Sequence, residues 1–146
     1  MNLEGRTAVV TGAAGVLGDA VARKAVACGA QVVLLDVVSG FESDLGPTYT
    51  VDLLDAGAVR ACLESAGPFD IVCNIAGGFD MGPTVSETSD QLWNAMFDIN
   101  VNTLRNVLSA AVPLLVARGG GSIVNVGALG ALGGRPTWLP TRPPSP

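Results

Sequence analysis

The stretch Val9-Val10-Thr11-Gly12-Ala13-Ala14-Gly15-Val16-Leu17-Gly18 decides the fold. An apolar run stops at Gly12, three glycines follow one another closely, and a helical pattern begins. One helix later, Val32-Val33-Leu34-Leu35-Asp36 repeats the apolar run and ends on a carboxylate. That order suits a dinucleotide diphosphate. Glycines let the backbone approach phosphates, the free N–H groups of a helix start attract negative charge, and a carboxylate after the second strand accepts ribose hydroxyls. Residues 7–10 are apolar and partly β-branched, as a buried parallel strand requires. Gly12 permits the tight turn, and Gly15 and Gly18 remove side chains where cofactor and strand crowd the helix. Leu17, Ala20, Val21, Ala25 and Cys28 recur at helical spacing, and Gly29 ends the helix.

Outward from this unit, strand and helix patterns alternate. Strands are predicted at about 7–11, 31–36, 48–51, 70–74 and 122–126, and helices at about 15–28, 55–65 and 89–117. Such alternation implies an α/β fold, a doubly wound parallel sheet with right-handed crossovers. The segment 37–46 is too short and broken for a full helix and reads as a loop. Ser89 is placed to cap the long third helix. Leu92, Met96, Ile99, Thr103, Val107, Ala110 and Leu114 form one stripe along it. Trp93, Phe97, Leu104, Leu108, Ala111 and Leu115 form a second, interrupted by Asn100. So broad an apolar surface predicts packing on two sides, one against the sheet and one against a further helix or a second subunit, which would make a homo-oligomer. Pro113 is expected to bend the last turns.

Composition sets outer limits. The chain has 146 residues, 49% of them hydrophobic and 14% charged, and carries a net charge of −5. Length and apolar content suit one domain with its own core. The negative charge argues against nucleic-acid partners and against an anionic membrane surface. Residues 1–6 lack the apolar core of a signal peptide, and no apolar run is read as approaching the length of a membrane span, so a cytoplasmic protein is expected. Cys28, Cys62 and Cys73 are odd in number and far apart, as buried thiols in a reducing compartment would be. Without histidine or closely spaced cysteines, no metal site is expected.

Several short motifs together carry a family resemblance. Thr11-Gly12-Ala13-Ala14-Gly15-Val16-Leu17-Gly18, Asp52-Leu53, Asn74-Ile75-Ala76-Gly77, Asn100-Val101-Asn102 and Gly121-Ser122-Ile123-Val124-Asn125-Val126 resemble the short-chain dehydrogenase/reductase family in order and interval. The resemblance spans about residues 5–134. It implies a Rossmann-type sheet and hydride transfer between a nicotinamide cofactor and a small-molecule alcohol or carbonyl. By the same resemblance Gly12, Gly15, Val16, Leu17 and Gly18 line the pyrophosphate, although the commonest middle glycine falls at Val16 and Gly15 stands one place earlier. Asp36 would take the adenosine ribose hydroxyls. A carboxylate there repels a 2′-phosphate and no arginine or lysine stands nearby, so NAD is expected over NADP. Asp52 would bind the adenine amino group, with Leu53 packing at the ring. Asn74, Ala76 and Gly77 would lie beside the cofactor, and Ile75 replaces a frequent second asparagine. Asn100 resembles the family's catalytic helix asparagine, which organises the water of a proton relay.

The chemistry then departs from the family pattern. The usual serine after the fifth strand falls at Gly127 or Ala128. The usual Tyr-x-x-x-Lys has no match, because the single tyrosine is Tyr49 and the single lysine is Lys24. The chain itself is therefore expected to be catalytically incompetent, since loss of a general acid costs at least about 10² to 10⁴ in rate. The alternative is a non-catalytic dinucleotide-binding or interaction protein. Residues 1–134 read as an NAD-binding Rossmann domain of about five strands, lacking its last helix and strands. Residues 135–146 read as a proline-rich irregular tail holding five of the nine prolines. That break in composition reads as a frameshift, because a shifted frame permits Tyr-x-Ala-Ser-Lys with the tyrosine at the place of Thr141. A natural proline-rich tail or a designed truncation are the alternatives.

Overall fold

The computed structural model describes residues 1–79 and 84–128. The expected tail at 135–146 lies outside the described residues. Five strands, β1 (Thr7–Thr11), β2 (Gln31–Asp36), β3 (Thr48–Thr50), β4 (Ile71–Asn74) and β5 (Ser122–Asn125), form one sheet in the order β3-β2-β1-β4-β5. Every pairing is parallel. Helices α1 (Val16–Ala27), α2 (Ala56–Ser65), α3 (Asp90–Phe97) and α4 (Thr103–Ala117) accompany it, and the 37–46 segment contains neither helix nor strand, as expected.

Side chains alternate between two cores because successive strand residues point to opposite faces. Val9, Val33, Leu35 and Val72 pack with Val59 and Leu63 of α2 and Val107, Ala111 and Leu115 of α4. Val10, Val32, Leu34 and Cys73 pack with Ala22 and Ala25 of α1 on the other face. Cover on both faces explains why β1 and β2 read as unbroken apolar runs. Of the three cysteines expected to be buried, Cys73 is buried and Cys28 and Cys62 are half-buried, and burial pushes the thiols of Cys62 and Cys73 up. Helix α1 stops where predicted. Gly29 adopts φ +93°, its N–H donates to the Val26 carbonyl, and the Ala30 N–H donates to the Ala25 carbonyl.

The chain winds outward from β1 through β2 to β3, then returns by α2 to lay β4 on the other side of β1. The direction of winding therefore reverses between β1 and β4. In open α/β sheets, the crevice beyond the carboxyl ends of the strands at such a switch point is where ligands bind.

The predicted helix 89–117 is corrected in two ways. It is not one regular helix: a π-helical turn, Asp98–Asn102, joins α3 to α4. The wider turn advances the phase, so the two predicted stripes do not separate into two faces. The buried face of α4 takes Thr103, Asn106, Val107, Ala110, Ala111 and Leu115, drawn from both stripes and from neither, whereas α3 buries no residue. The second correction concerns length. Asp90–Ala117 spans 28 residues with a mean hydropathy of 1.2 in its apolar window, enough by length and composition to cross a membrane. Here its second half packs into the core above the sheet.

Other apolar side chains are left open. Trp93, Phe97, Val101, Val112 and Val116 are exposed along the same helical stretch, and all four residues of β5 are exposed, Ile123 and Val124 among them.

At the opposite end of the sheet from the crevice, Asp70 ties three elements together. Its carboxylate accepts the Thr7 N–H at 3.0 Å and pairs with Arg6 at 3.1 Å and Arg118 at 3.5 Å. The Thr7 N–H, foremost, and the two guanidinium groups hold its carboxyl below the usual range against the opposing effect of burial. A depressed carboxyl stabilises the fold above its unfolded pKa, and the contribution is lost as pH falls through the folded value. In urea unfolding, Asp70→Asn should be less stable than the parent at neutral pH. The gap should close from about pH 4 downward; a gap independent of pH would contradict the assignment. Asn106, buried on α4, donates to the carbonyls of Leu53 and Leu54 at 3.0 and 3.1 Å. Asn106→Ala should cost about 1–3 kcal/mol by the same measurement.

Candidate functional site

The crevice is built around backbone rather than side chains. At the end of β1, Gly12 has φ +65°, and a Cβ there would stand 2.8 Å from Ala76 Cα on the β4 side. A Cβ on Gly18 would stand 2.1 Å from the Gly12 carbonyl oxygen, so the first turn of α1 lies directly against the turn. Both positions accept only glycine. Gly15 differs: a Cβ there would meet the Gly12 oxygen at 3.3 Å, a contact that a small shift relieves. Gly15 is the N-cap residue of α1, and no side chain caps that helix. Helices α2 and α3 start on Asp55 and Ser89, whose side chains accept first-turn N–H groups. The start of α1 thus lacks the side-chain cap that these two possess. Val16 and Leu17 stand beside it, 93% and 52% exposed.

Thr11 closes the rear of the turn. It is buried, and its Oγ1 accepts the N–H groups of Ile75 and Ala76, both at 3.1 Å. The carboxyl ends of β1 and β4 are stitched by this one hydroxyl. Sequence reading quoted Thr11 within a motif but assigned it no role. A hydroxyl placed between an apolar strand and a glycine turn was the available signal.

The structure places Asp36 against the same turn. Its Oδ2 accepts the Ala14 N–H at 2.9 Å, its Oδ1 accepts the Val38 N–H at 3.1 Å, and the residue is buried. Gly12, Gly15, Gly18 and Asp36 are therefore brought together. Asp52 lies farther out, at the end of β3. It is exposed and accepts the Leu54 N–H at 2.9 Å in a tight turn. Leu53 sits differently from the sequence expectation: its side chain is part of the core, so it offers little surface to an adenine ring, and Asn106 holds its carbonyl.

On the β4 side, Asn74 is buried, and its Nδ2 donates to Asn125 Oδ1 at 2.8 Å while its own Oδ1 has no partner. Ala76 and Gly77 follow along the crevice wall. Asn100 lies in the π-helical turn and reaches across to this wall. Its Oδ1 accepts the Gly78 N–H at 3.1 Å, and its Nδ2 donates to the Gly78 carbonyl at 2.8 Å and the Met96 carbonyl at 2.9 Å. The whole amide is spent on backbone, so Asn100 shapes the 77–79 segment. Tyr49 and Lys24 lie elsewhere. The Tyr49 hydroxyl bonds to the Ser65 carbonyl at the end of α2, and Lys24 is in the last turn of α1.

These residues fit a dinucleotide. An uncapped helix start, two positions that exclude any side chain, a carboxylate behind the turn and an orphaned buried amide oxygen all border the crevice. Comparison with known proteins agrees with this geometry. The chain is 30% identical over 133 residues to 2-keto-3-deoxy-L-fuconate dehydrogenase of Xanthomonas campestris, covering 87% of this chain and 44% of that protein. It is 32% identical over 140 residues to 2,3-dihydro-2,3-dihydroxybenzoate dehydrogenase of Bacillus subtilis, covering 86% and 53%. Carveol dehydrogenase from Mycobacterium avium, solved in complex with NAD, superposes with a TM-score of 0.86 at 26% identity, covering 93% of this chain and 59% of that one. The chain spans about half the length of the curated relatives it matches. The short chain dehydrogenase family model matches residues 6–140, and the chain belongs to that family.

Proposed function

We propose that this chain is the dinucleotide-binding portion, residues 1–134, of an oxidoreductase that uses NAD. The observation that carries the reading is the start of α1: a helix without a side-chain cap, packed on a turn that admits only glycine, with Asp36 fixed behind it. The first-turn N–H groups of α1 are left to bind diphosphate oxygens. Asp36 keeps lone pairs for ribose hydroxyls, and its negative charge disfavours a 2′-phosphate. Asp52 offers an exposed carboxylate to an adenine amino group, and Asn74, Ala76 and Gly77 border the opposite half of the crevice.

Bound there, nicotinamide supplies or accepts a hydride at an alcohol or carbonyl carbon. This chain's own contribution is positional. Thr11 and Asn100 hold the two walls of the crevice in register. Asn100 thereby acts as a positioning residue, leaving the backbone of its turn to organise a water. Among the described residues, the family's proton donor has no counterpart at the crevice: Tyr49 and Lys24 lie away from it, and Gly127 and Ala128 carry no hydroxyl. We infer binding without useful turnover, and an exposed helical face through which copies associate.

NADH fluorescence titration tests the reading. The parent chain should bind NADH, and NAD more tightly than NADP; silence toward both NAD and NADH at millimolar concentration would overturn it. Asp36→Ala should weaken NAD at least about tenfold, as expected when a charged hydrogen-bond acceptor is lost. Gly18→Ala should abolish binding and lower stability together. On a panel of secondary alcohols with NAD, turnover should fall about 10² to 10⁴ below that of a complete family member; a rate matching the complete enzyme would contradict the silent-chain reading.

A further inference from the structure

Asn74 and Asn125 stand side by side in register at the carboxyl ends of β4 and β5. Asn74 is 6% exposed, and its Oδ1 has no partner. Buried amide oxygens are rarely left without a donor. Two residues before them in each strand, Val72 pairs with Ile123 and Val9 pairs with Val72. Alternation along the strands therefore puts Thr11, Asn74 and Asn125 on one face, as a polar row across β1, β4 and β5. The Thr11 oxygen accepts the N–H groups of Ile75 and Ala76. The Asn74 amide is held by its NH₂, which donates to Asn125 Oδ1 at 2.8 Å.

The consequence falls on Asn125. Its oxygen is taken by Asn74, and the residue is exposed, so its NH₂ is the end turned outward. Its place relative to Asp36 matters. With diphosphate at the start of α1 and one ribose at Asp36 on the β2 side, the other half of a dinucleotide extends over β4 and β5. We propose that Asn125, oriented by Asn74, donates a hydrogen bond to an acceptor oxygen of the nicotinamide-ribose half of the cofactor. Asn125 is then a ligand-binding residue and Asn74 its positioning residue. This rests on the dinucleotide reading above.

Asn125→Asp provides the test, because its carboxylate still accepts from Asn74 while the outward donor is lost. Calorimetric titration of parent and variant with NAD, ADP-ribose and ADP separates the outcomes. The expected result is unchanged ADP affinity and a loss of about 5- to 10-fold for NAD, the effect of one neutral hydrogen bond. A parallel loss for ADP-ribose assigns the acceptor to the ribose, and an unchanged ADP-ribose affinity assigns it to the carboxamide. Equal NAD affinity in variant and parent, with ADP still bound, overturns the proposal alone. No ADP binding by the parent overturns the dinucleotide reading and the proposal with it. Should the variant fail to fold, amide NMR of the parent decides. The Asn125 side-chain NH₂ signals should shift with NAD and not with ADP, and Asn74→Ala should abolish that shift. Unmoved signals in the parent overturn the proposal.

Discussion

The contact on which the crevice depends is the approach of Gly18 to the Gly12 carbonyl. A methyl group at Gly18 would lie 2.1 Å from that oxygen, and one at Gly12 would lie 2.8 Å from Ala76. Both distances are far inside van der Waals contact. Without side chains at these two positions, α1 rests directly on the turn that leaves β1, and β4 closes on the turn from the other side. Everything that faces a ligand follows from this seating. The Ala14 N–H reaches Asp36, the Thr11 hydroxyl reaches the backbone after β4, and the helix starts at Gly15 without spending a side chain on its own N–H groups. A glycine turn that merely changed direction would not require both contacts.

Much of the fold was legible because one physical signal dominated each element. The strand β1 is covered on both faces, so its sequence is a plain apolar run, and Gly29 has a backbone conformation that glycine alone adopts without strain. The close packing at Gly12 and Gly18 was equally legible, since a side chain at either would strike backbone, and Asp36 follows β2 at the expected offset. The helix 89–117 was harder. Its apolar residues recur densely enough to fit a straight helix. The clue within positions 98–102 is Asn100, a polar residue inside an apolar pattern. Its amide donates to the Met96 carbonyl one turn back, and it also clamps Gly78, twenty-two residues away in sequence. A partner at that range cannot be read from periodicity. Leu53 was misjudged for a related reason: a leucine after a turn aspartate suits an exposed ring contact or a core, and only Asn106 on α4 shows which.

The crevice has two unequal halves. Toward β2 and β3 it presents carboxylates, Asp36 and Asp52, both braced by backbone N–H groups. Toward β4 and β5 its groups are neutral amides: Asn74 and Asn100 turn their NH₂ to protein partners, and Asn125 is exposed. The division follows the switch point, because each half belongs to strands on one side of β1. Sugar hydroxyls are donors and suit the carboxylate side. Groups carrying carbonyl oxygens suit amide donors. The two halves of the cleft therefore differ in polarity, with acceptors on one side of β1 and amides on the other.

That division also separates binding from chemistry. The hydrogen bonds that hold the Asp36 carboxylate against the turn come from Ala14 and Val38, and the stitch to the backbone after β4 is made by the Thr11 hydroxyl. At the β5 end, by contrast, Gly127 and Ala128 carry no hydroxyl. Among the described residues, no hydrogen bond of the glycine turn passes through β5. The tie that does reach β5 from the crevice is the Asn74–Asn125 pair, and it acts on the neutral half. The hydrogen bonds that fix the glycine turn and Asp36 are therefore independent of the β5 end of the cleft.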